Sequence, residues 1–383
     1  MRRPRETAPL RLRRATLNRL HLPLVRPFTT SFGTEKAREV LLLELEEAGG
    51  EIGYGECVAQ RDPLYSSEMV DGALLVLRRY LLPLLGDRDG VTPEGFRRRA
   101  QSYRGHPMAK ATVEMALQDL GARRLSRPLH EVLGGRYRRV PVGVSVGMQR
   151  DPPSLVETVR GYLQDGYGRV KLKVEPGRDS AYVRAVRKAF PQARLWIDAN
   201  QAYGKGQVGF LARLARSASL ELVEQPFPED RLDWHALLSR RLPRSSRLCL
   251  DESVVTLGDL DVALEMHALR SLNIKPGRVG GLGPACELHD RALARRVPVW
   301  CGGMLETGIG RAHNVSLATL PGFLLPSDLS ASARYFQEDL IDPPFTLGPG
   351  SSLEPRRGPG IGVEPVETRL RKFRRGRWEI SFP

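Results

Sequence analysis

Several absences narrow the class of this 383-residue chain before any motif is read. No run approaches the ~18 apolar residues that a membrane-spanning helix needs. The arginines at the N-terminus (Arg2, Arg3, Arg5, Arg11, Arg13, Arg14) have no apolar core behind them. Neither export nor a membrane span is expected, and a cytoplasmic location is. Cysteine is scarce: Cys57, Cys249, Cys286 and Cys301 are scattered, with no CxxC pair. Reduced thiols fit that pattern better than a disulfide frame or a zinc site. There is no low-complexity tract. The net charge of +15 raises the question of a nucleic-acid partner. No Cys/His finger, helix-turn-helix or aromatic RNA-binding strand accompanies it, and the dense arginine clusters lie only at the ends (Arg2 to Arg14, Arg369 to Arg377). No nucleic-acid partner is expected; attraction of anionic metabolites or a plain compositional bias accounts for the charge.

What is present is a period. Lys173, Asp198, Glu224, Asp251 and Lys275 are separated by 25, 26, 27 and 24 residues. That is about one βα unit: a strand of ~5 residues, a helix of ~11 and two short loops. Each of the five closes a short apolar run (RVKLK, RLWID, LELVE, LCLD, LNIK), as in strands buried on both faces. Polar residues at the carboxyl ends of successive barrel strands point into a common mouth. The pattern therefore predicts three carboxylates meeting in one place with a lysine on either side.

Along the chain, residues from about Thr16 to Leu45 read as a strand, a loop and a second strand. The loop RPFTTSFGTE carries Phe28, Phe32 and Gly33 and reads either as a lid or as a hairpin with packed aromatics. A helix follows near Ser67, where serine can cap. Another starts at Pro107 with Ala109, Val113, Ala116, Leu117 and Leu120 as its core face; Met108 and Met115 read as packing. From about Arg139 strands and helices alternate: PVGVSVG, a helix from Ser154 to Asp165, the five runs above, then VPVWCGG. An eighth short strand near FLLP (323–326) would close a barrel. The expected division is a basic extension over residues 1–15, an α+β capping domain over 16–138, a barrel over 139–342, and a segment over 343–383 that returns to the cap.

Three oxygen ligands without histidine or thiolate favour Mg²⁺ or Mn²⁺ over zinc. Lys171 and Lys173 are two apart on one strand and share a face. Near one another and a metal ion, their ammonium pKa values are expected to fall, making a general base at neutral pH. Lys275 arrives from across the barrel. Removing a proton α to a carboxylate puts two negative charges on that group, which a divalent cation offsets.

At this point the chain resembles the enolase superfamily, muconate-lactonising subgroup, over roughly residues 16–365. It is most similar to the o-succinylbenzoate synthase / N-acylamino acid racemase family. The stretches that carry the resemblance are FTTSFG, YRGHPMAKATVEMA, GVSVG, GYGRVKLKVEPG, DANQAY, VEQP, CLDES, NIKPGRVGG and WCGGMLETGIGRAHN. The resemblance implies an α/β fold, a (β/α)7β modified TIM barrel under an N-terminal α+β cap that the C-terminal segment completes. It implies that Asp198, Glu224 and Asp251 hold Mg²⁺ and that Lys173 and Lys275 are catalytic. Lys171, Ser145, Asn200, Gly303, Met304, Phe28, Phe32 and Tyr65 would bind substrate. Arg278, three residues after Lys275, would depress the Lys275 pKa, and racemase-capable members look like this chain there. The implied reaction is the dehydration that makes o-succinylbenzoate, with racemisation of N-acylamino acids open to the same residues. A muconate cycloisomerase has the same lysines, and a non-catalytic metal-binding barrel is the reading from another class. Barrels capped in this way are often homo-oligomers, and that assembly is expected.

Overall fold

The computed structural model describes residues 8–383; Arg2, Arg3 and Arg5 lie outside it. The chain begins with a long hairpin, β1 (Leu12–Thr30) and β2 (Gly33–Glu47), followed by β3 (Ile52–Cys57). Helices α1 (Val70–Val76), α2 (Pro93–Ala100), α3 (Pro107–Arg124) and α4 (Leu129–Val132) complete the first layer. Gly53 and Gly55 let α3 lie directly on β3. A Cβ on Gly55 would come within 2.0 Å of the Thr112 carbonyl oxygen. Ala109, Val113, Ala116, Leu117 and Leu120 are buried on α3 with Met108 in one core, while Met115 and Ala111 pack into another.

After a two-residue strand, β4 (Val140–Pro141), the texture changes. Seven parallel strands follow: β5 (Val144–Val146), β6 (Arg169–Lys173), β7 (Arg194–Asp198), β8 (Leu222–Glu224), β9 (Arg247–Leu250), β10 (Ser271–Ile274) and β11 (Val299–Cys301). They form one sheet in sequential order. Seven helices alternate with them: α5 (Pro152–Gln164), α6 (Ser180–Ala189), α7 (Val208–Ser217), α8 (Leu232–Arg241), α9 (Leu257–Glu265), α10 (Leu282–Ala294) and α11 (Gly308–Leu317). Period-2 alternation sorts the side chains. Val170, Leu172, Leu195, Ile197, Val223 and Leu248 pack in the helix-side cores, while Trp196, Leu222, Cys249, Trp300 and Leu325 form a separate apolar plug inside the barrel.

Four details depart from expectation, and the structure chooses between the two readings of the loop with Phe28 and Phe32. The first strand starts at Leu12, so Arg13 and Arg14 are strand residues that pair with Glu46 rather than part of an extension. The loop with Phe28 and Phe32 is the closed end of the hairpin, with Thr30 opposite Gly33. The helix near Ser67 begins at Val70; Ser66, not Ser67, makes the local bonds, to the backbone of Glu68. The helix expected from Ser154 starts two residues earlier, capped by Asp151. The eighth strand is reduced to single bridges, Val299 to Phe323 and Val142 to Ser327, which close the ring without a regular ladder. Pro326 supplies no N–H, and one stave is thereby denied a full set of bonds.

The C-terminal segment makes β12 (Ser352–Leu353), α12 (Glu367–Phe373) and β13 (Arg374–Ser381). β13 pairs antiparallel with β1, giving the first sheet the order β13-β1-β2-β3. Buried acids of the cap join the two sheets' layers by seating at helix N-termini. Glu114 accepts from the amides of Leu282 and Gly283 at the start of α10, and Glu56 accepts from Thr307 N, Thr307 Oγ1 and Gly310 N at the start of α11. A carboxylate there satisfies orphan amides and meets the positive end of the helix dipole.

Burial pushes the Glu56 carboxyl up to about 7, against the pull of those donors. Its folded pKa lies above the unfolded value near 4.5, so its contribution to stability is fully present below about 4.5 and is lost as pH rises through 7. Urea melts of wild type are therefore expected to show a fall in stability between pH 5 and pH 8. Glu56→Gln removes a share of that fall on the order of 2–3 kcal/mol. An identical pH profile in the variant contradicts the assignment.

Candidate active site

Register sets out the mouth of the barrel one strand at a time. Ser145 lies opposite Lys171, Lys173 opposite Asp198, Asp198 opposite Glu224, and Glu224 opposite Cys249, two residues before Asp251. The three acids thus stand on neighbouring strands, β7, β8 and β9, all buried. Lys173 on β6 and Lys275 after β10 flank them four staves apart.

The side chains form a dense charge layer above the apolar plug. Lys171 Nζ lies 2.6 Å from Glu224 Oε2, 3.0 Å from Asp198 Oδ2 and 2.6 Å from Asp328 Oδ2, with the Trp300 ring 4.8 Å away. Lys173 Nζ donates to Asp198 Oδ2 (2.7 Å) and Asn200 Oδ1 (2.5 Å). Asn200 adopts a positive φ of 40°, and its Nδ2 donates to Glu252 Oε1 at 3.1 Å. Lys275 Nζ donates to Asp251 Oδ2 (2.6 Å) and Tyr65 Oη (2.9 Å). Asn273 Nδ2 donates to the other Glu224 oxygen at 2.7 Å. Beneath them the Arg169 guanidinium stacks 4.3 Å from the Trp196 ring and meets Asp328 Oδ1 at 2.5 Å.

One pocket gathers the rest. Phe28, Phe32 and Tyr65 cover it from the hairpin and the loop after β3; Ser145, Lys171, Lys173, Asp198, Asn200 and Lys275 line its floor; Gly303 and Met304 form one wall. Phe32 and Tyr65 rings lie 5.7 Å apart, and the Ser31 hydroxyl donates to the Asn200 carbonyl at 3.4 Å. Ser145 Oγ is buried with no hydrogen-bond partner among the described residues. The Met304 amide is already bound to Glu306 Oε2 at 2.8 Å. The space left is about 60 Å³, room for a few water molecules under the hairpin tip and Tyr65. Glu224, Asp251 and Arg278 lie outside the lining. Arg278 Nε contacts Asp251 Oδ1 at 3.1 Å, the oxygen opposite the one Lys275 binds.

The acids around the two most buried lysines set their electrostatics. Burial alone lowers the Lys171 and Lys275 pKa values, but Asp198, Asp328 and Glu224 about the first, and Asp251, Tyr65 and Glu252 about the second, raise both well above the usual range. Lys171 shares Asp198 Oδ2 with Lys173, but the carboxylates around Lys171 and Lys275 outweigh burial and like-charge repulsion. Arg278 and Lys275 grip one carboxylate, Asp251, between them. Burial and the nearby Asp198 and Asp251 push Glu224 up to about 8, whereas Lys171 and Lys173 overcome burial to hold Asp198 below the carboxylate range.

The three acids are a hard, all-oxygen donor set of the kind that suits a divalent cation. Their mutual repulsion, visible at Glu224, is what such an ion relieves. As they stand, no three acidic, histidine or cysteine side chains among the described residues are gathered to hold an ion, because ammonium groups have drawn the carboxylates to themselves. The donors fit in type and strand position, and the lysines are what must yield.

Sequence reading missed Asp328, Asn273, Glu252, Glu35, Gln60 and Tyr335. A signal existed for two of them. Asn273 sits two residues before Lys275 on the same strand face, and Asp328 closes the run FLLPS just as the other acids close theirs.

The fold and site together define a capped parallel barrel with an acid–base centre at its mouth. Residues 14–134 match the model of the mandelate racemase / muconate lactonizing enzyme N-terminal domain, and residues 154–369 match that of the enolase C-terminal domain-like family. The chain belongs to this family, within the enolase superfamily. It is 46% identical over 358 residues to an N-succinylamino acid racemase of an Amycolatopsis species, covering 93% of this chain and 96% of that protein. It is 39% identical over 367 residues to an o-succinylbenzoate synthase of Listeria innocua, covering 96% and 97%. A crystal structure of an enolase-superfamily member from Listeria innocua superposes with a TM-score of 0.92 at 38% identity, covering 97% of this chain and 99% of that one. A muconate cycloisomerase of Rhodococcus opacus is more distant, at 31%. No helix of the described residues is long and apolar enough to cross a membrane.

Arg169→Met removes the buried cation that Asp328 shares with Lys171. It is expected to cost about 3–5 kcal/mol in urea unfolding, because it leaves a buried charge short of its partner. A loss below about 1 kcal/mol contradicts that pairing.

Proposed function

We propose that this chain is an o-succinylbenzoate synthase that also racemises N-acylamino acids, N-succinyl ones in particular. The single observation that carries the proposal is that Lys173 and Lys275 line one pocket from opposite staves, with Asp198 between them on its floor. In the dehydration, Lys173 removes the proton α to the carboxylate of 2-succinyl-6-hydroxy-2,4-cyclohexadiene-1-carboxylate. Electrons of the resulting enediolate expel the 6-hydroxyl group, which takes up the proton from the Lys173 ammonium and leaves as water, and the ring becomes aromatic. Lys275 stays protonated and stabilises the enediolate. In racemisation the two lysines alternate, one taking the proton from one face and the other returning it to the opposite face.

Asp198, Glu224 and Asp251 are the residues we assign to hold Mg²⁺, or Mn²⁺ in its place. Bound there, a divalent cation would offset the second negative charge that develops on the substrate carboxylate. Lys171, Asn200 and the unpartnered hydroxyl of Ser145 would bind substrate polar groups. Gly303 and Met304 would form the wall beside them, and Phe28, Phe32 and Tyr65 would exclude water from above. Arg278 would tune Lys275 through Asp251, drawing part of that carboxylate's charge and so loosening its hold on the lysine's proton.

The reading places the protein in menaquinone biosynthesis, and its four buried cysteine thiols support a reducing, cytoplasmic setting. A cap of residues 16–138 over a barrel of 139–342, with 343–383 returning, is the division we adopt, moved to begin at Leu12. Leu64, Leu75 and Leu324 are more than half exposed and offer apolar surface for a homo-oligomer.

The test is a pair of rates on purified protein with Mg²⁺: o-succinylbenzoate formation, and racemisation of N-succinyl amino acids. Both are expected in wild type and lost, by about 10³-fold or more, in Lys173→Ala. Arg278→Gln is expected to slow racemisation more than dehydration. Equal losses in the two rates refute the tuning role, and racemisation that survives without Lys173 refutes the mechanism.

A further inference from the structure

One acid at the mouth has no part in the proposed reaction. Asp328 ends the eighth stave. Its amide donates to the Cys301 carbonyl at 2.9 Å, Arg169 engages its Oδ1 at 2.5 Å, and its Oδ2 lies 2.6 Å from Lys171 Nζ. Arg169 is itself stacked 4.3 Å from Trp196 and donates to the Pro326 carbonyl at 2.8 Å. The Asp328 carboxylate is thereby held still and aimed at the lysine.

Lys171 has three acidic neighbours, and two of them, Asp198 and Glu224, are proposed cation ligands. An ammonium group and a divalent cation thus claim the same oxygens. They repel each other in a layer shielded from water, where charge interactions are strong. The lysine is only 3% exposed, and a buried ammonium without a partner is heavily penalised. Of the three carboxylates it touches, Asp328 is the one outside the ligand set.

Resting on the metal assignment above, we infer that Asp328 is a positioning residue that receives the Lys171 ammonium when a divalent cation takes Asp198 and Glu224. This exchange sets how tightly the cation binds. Lys171 competes with the ion, and Asp328 relieves the competition. The pair keeps the acids compensated before the ion arrives and draws the ammonium aside afterwards.

The experiment is a direct titration of metal-free, full-length protein with Mn²⁺ alone, followed by the electron paramagnetic resonance signal of the free ion. Wild type, Asp328→Asn, Lys171→Met and the double variant form a cycle. Asp328→Asn is expected to weaken Mn²⁺ binding by about ten-fold or more, Lys171→Met to tighten it, and Asp328→Asn to change it less than about two-fold once Lys171 is gone. A purely structural role, or a long-range effect of one lost negative charge, weakens binding equally in both backgrounds; that result overturns the inference, as does an unchanged affinity in Asp328→Asn. Should Asp328→Asn fail to fold by circular dichroism, Lys171→Met alone decides, and an unchanged or weaker affinity there counts against the exchange. Glu224→Gln is the separate control: Mn²⁺ held as tightly by this variant as by wild type removes the metal assignment itself, and the role of Asp328 with it.

Discussion

Compensation of buried charge governs the architecture of the mouth. Lys171, Lys275, Asp198, Glu224, Asp251 and Asp328 are all nearly or wholly excluded from water, so every one of them needs an opposite charge within reach. The barrel provides this by geometry, placing inward-facing residues at the same height on successive strands. Trp196, Trp300 and their neighbours close the interior below, which both supports the layer and keeps its dielectric low. Lysines that balance the acids at rest are then the groups best placed to move protons once another cation shares the load.

The cap is tied into the same constraint. Glu114 and Glu56 reach from cap elements to the first turns of α10 and α11, so the cap's position follows from backbone amides of the barrel. That seating carries the hairpin tip and Tyr65 over the pocket, where Tyr65 meets Lys275 and Ser31 meets Asn200. The terminal strand β13 braces the hairpin from its other side. Packing, capping and chemistry are thus linked through a small number of buried acids.

Much of this was legible in the chain. A near-constant spacing with a charged residue closing each apolar run identifies βα units and the end of the barrel they face, because strand length and helix length are both set by local backbone geometry. The residues expected in the pocket from Phe28 to Met304 meet there. Less legible were features that depend on what stands opposite. Nothing local says that Glu56 and Glu114 are helix caps for partners some 170 to 250 residues away. The acids around Lys171 could not be read locally, because Asp198, Glu224 and Asp328 reach it from other strands. Asp328 went unnoticed because its stave has a proline and only isolated bridges, so it lacks the look of a strand. The hairpin tip was ambiguous because its register depends on the fold beneath it.

The central claim is that acids from three neighbouring strands share one divalent cation between two lysines. The most direct measurement is anomalous diffraction from crystals grown with Mn²⁺. A single ion is predicted within about 2.0–2.3 Å of Asp198, Glu224 and Asp251 together, with Lys173 and Lys275 on opposite sides of it. An ion bound elsewhere, or the three carboxylates still paired with lysines at saturating Mn²⁺, contradicts the account.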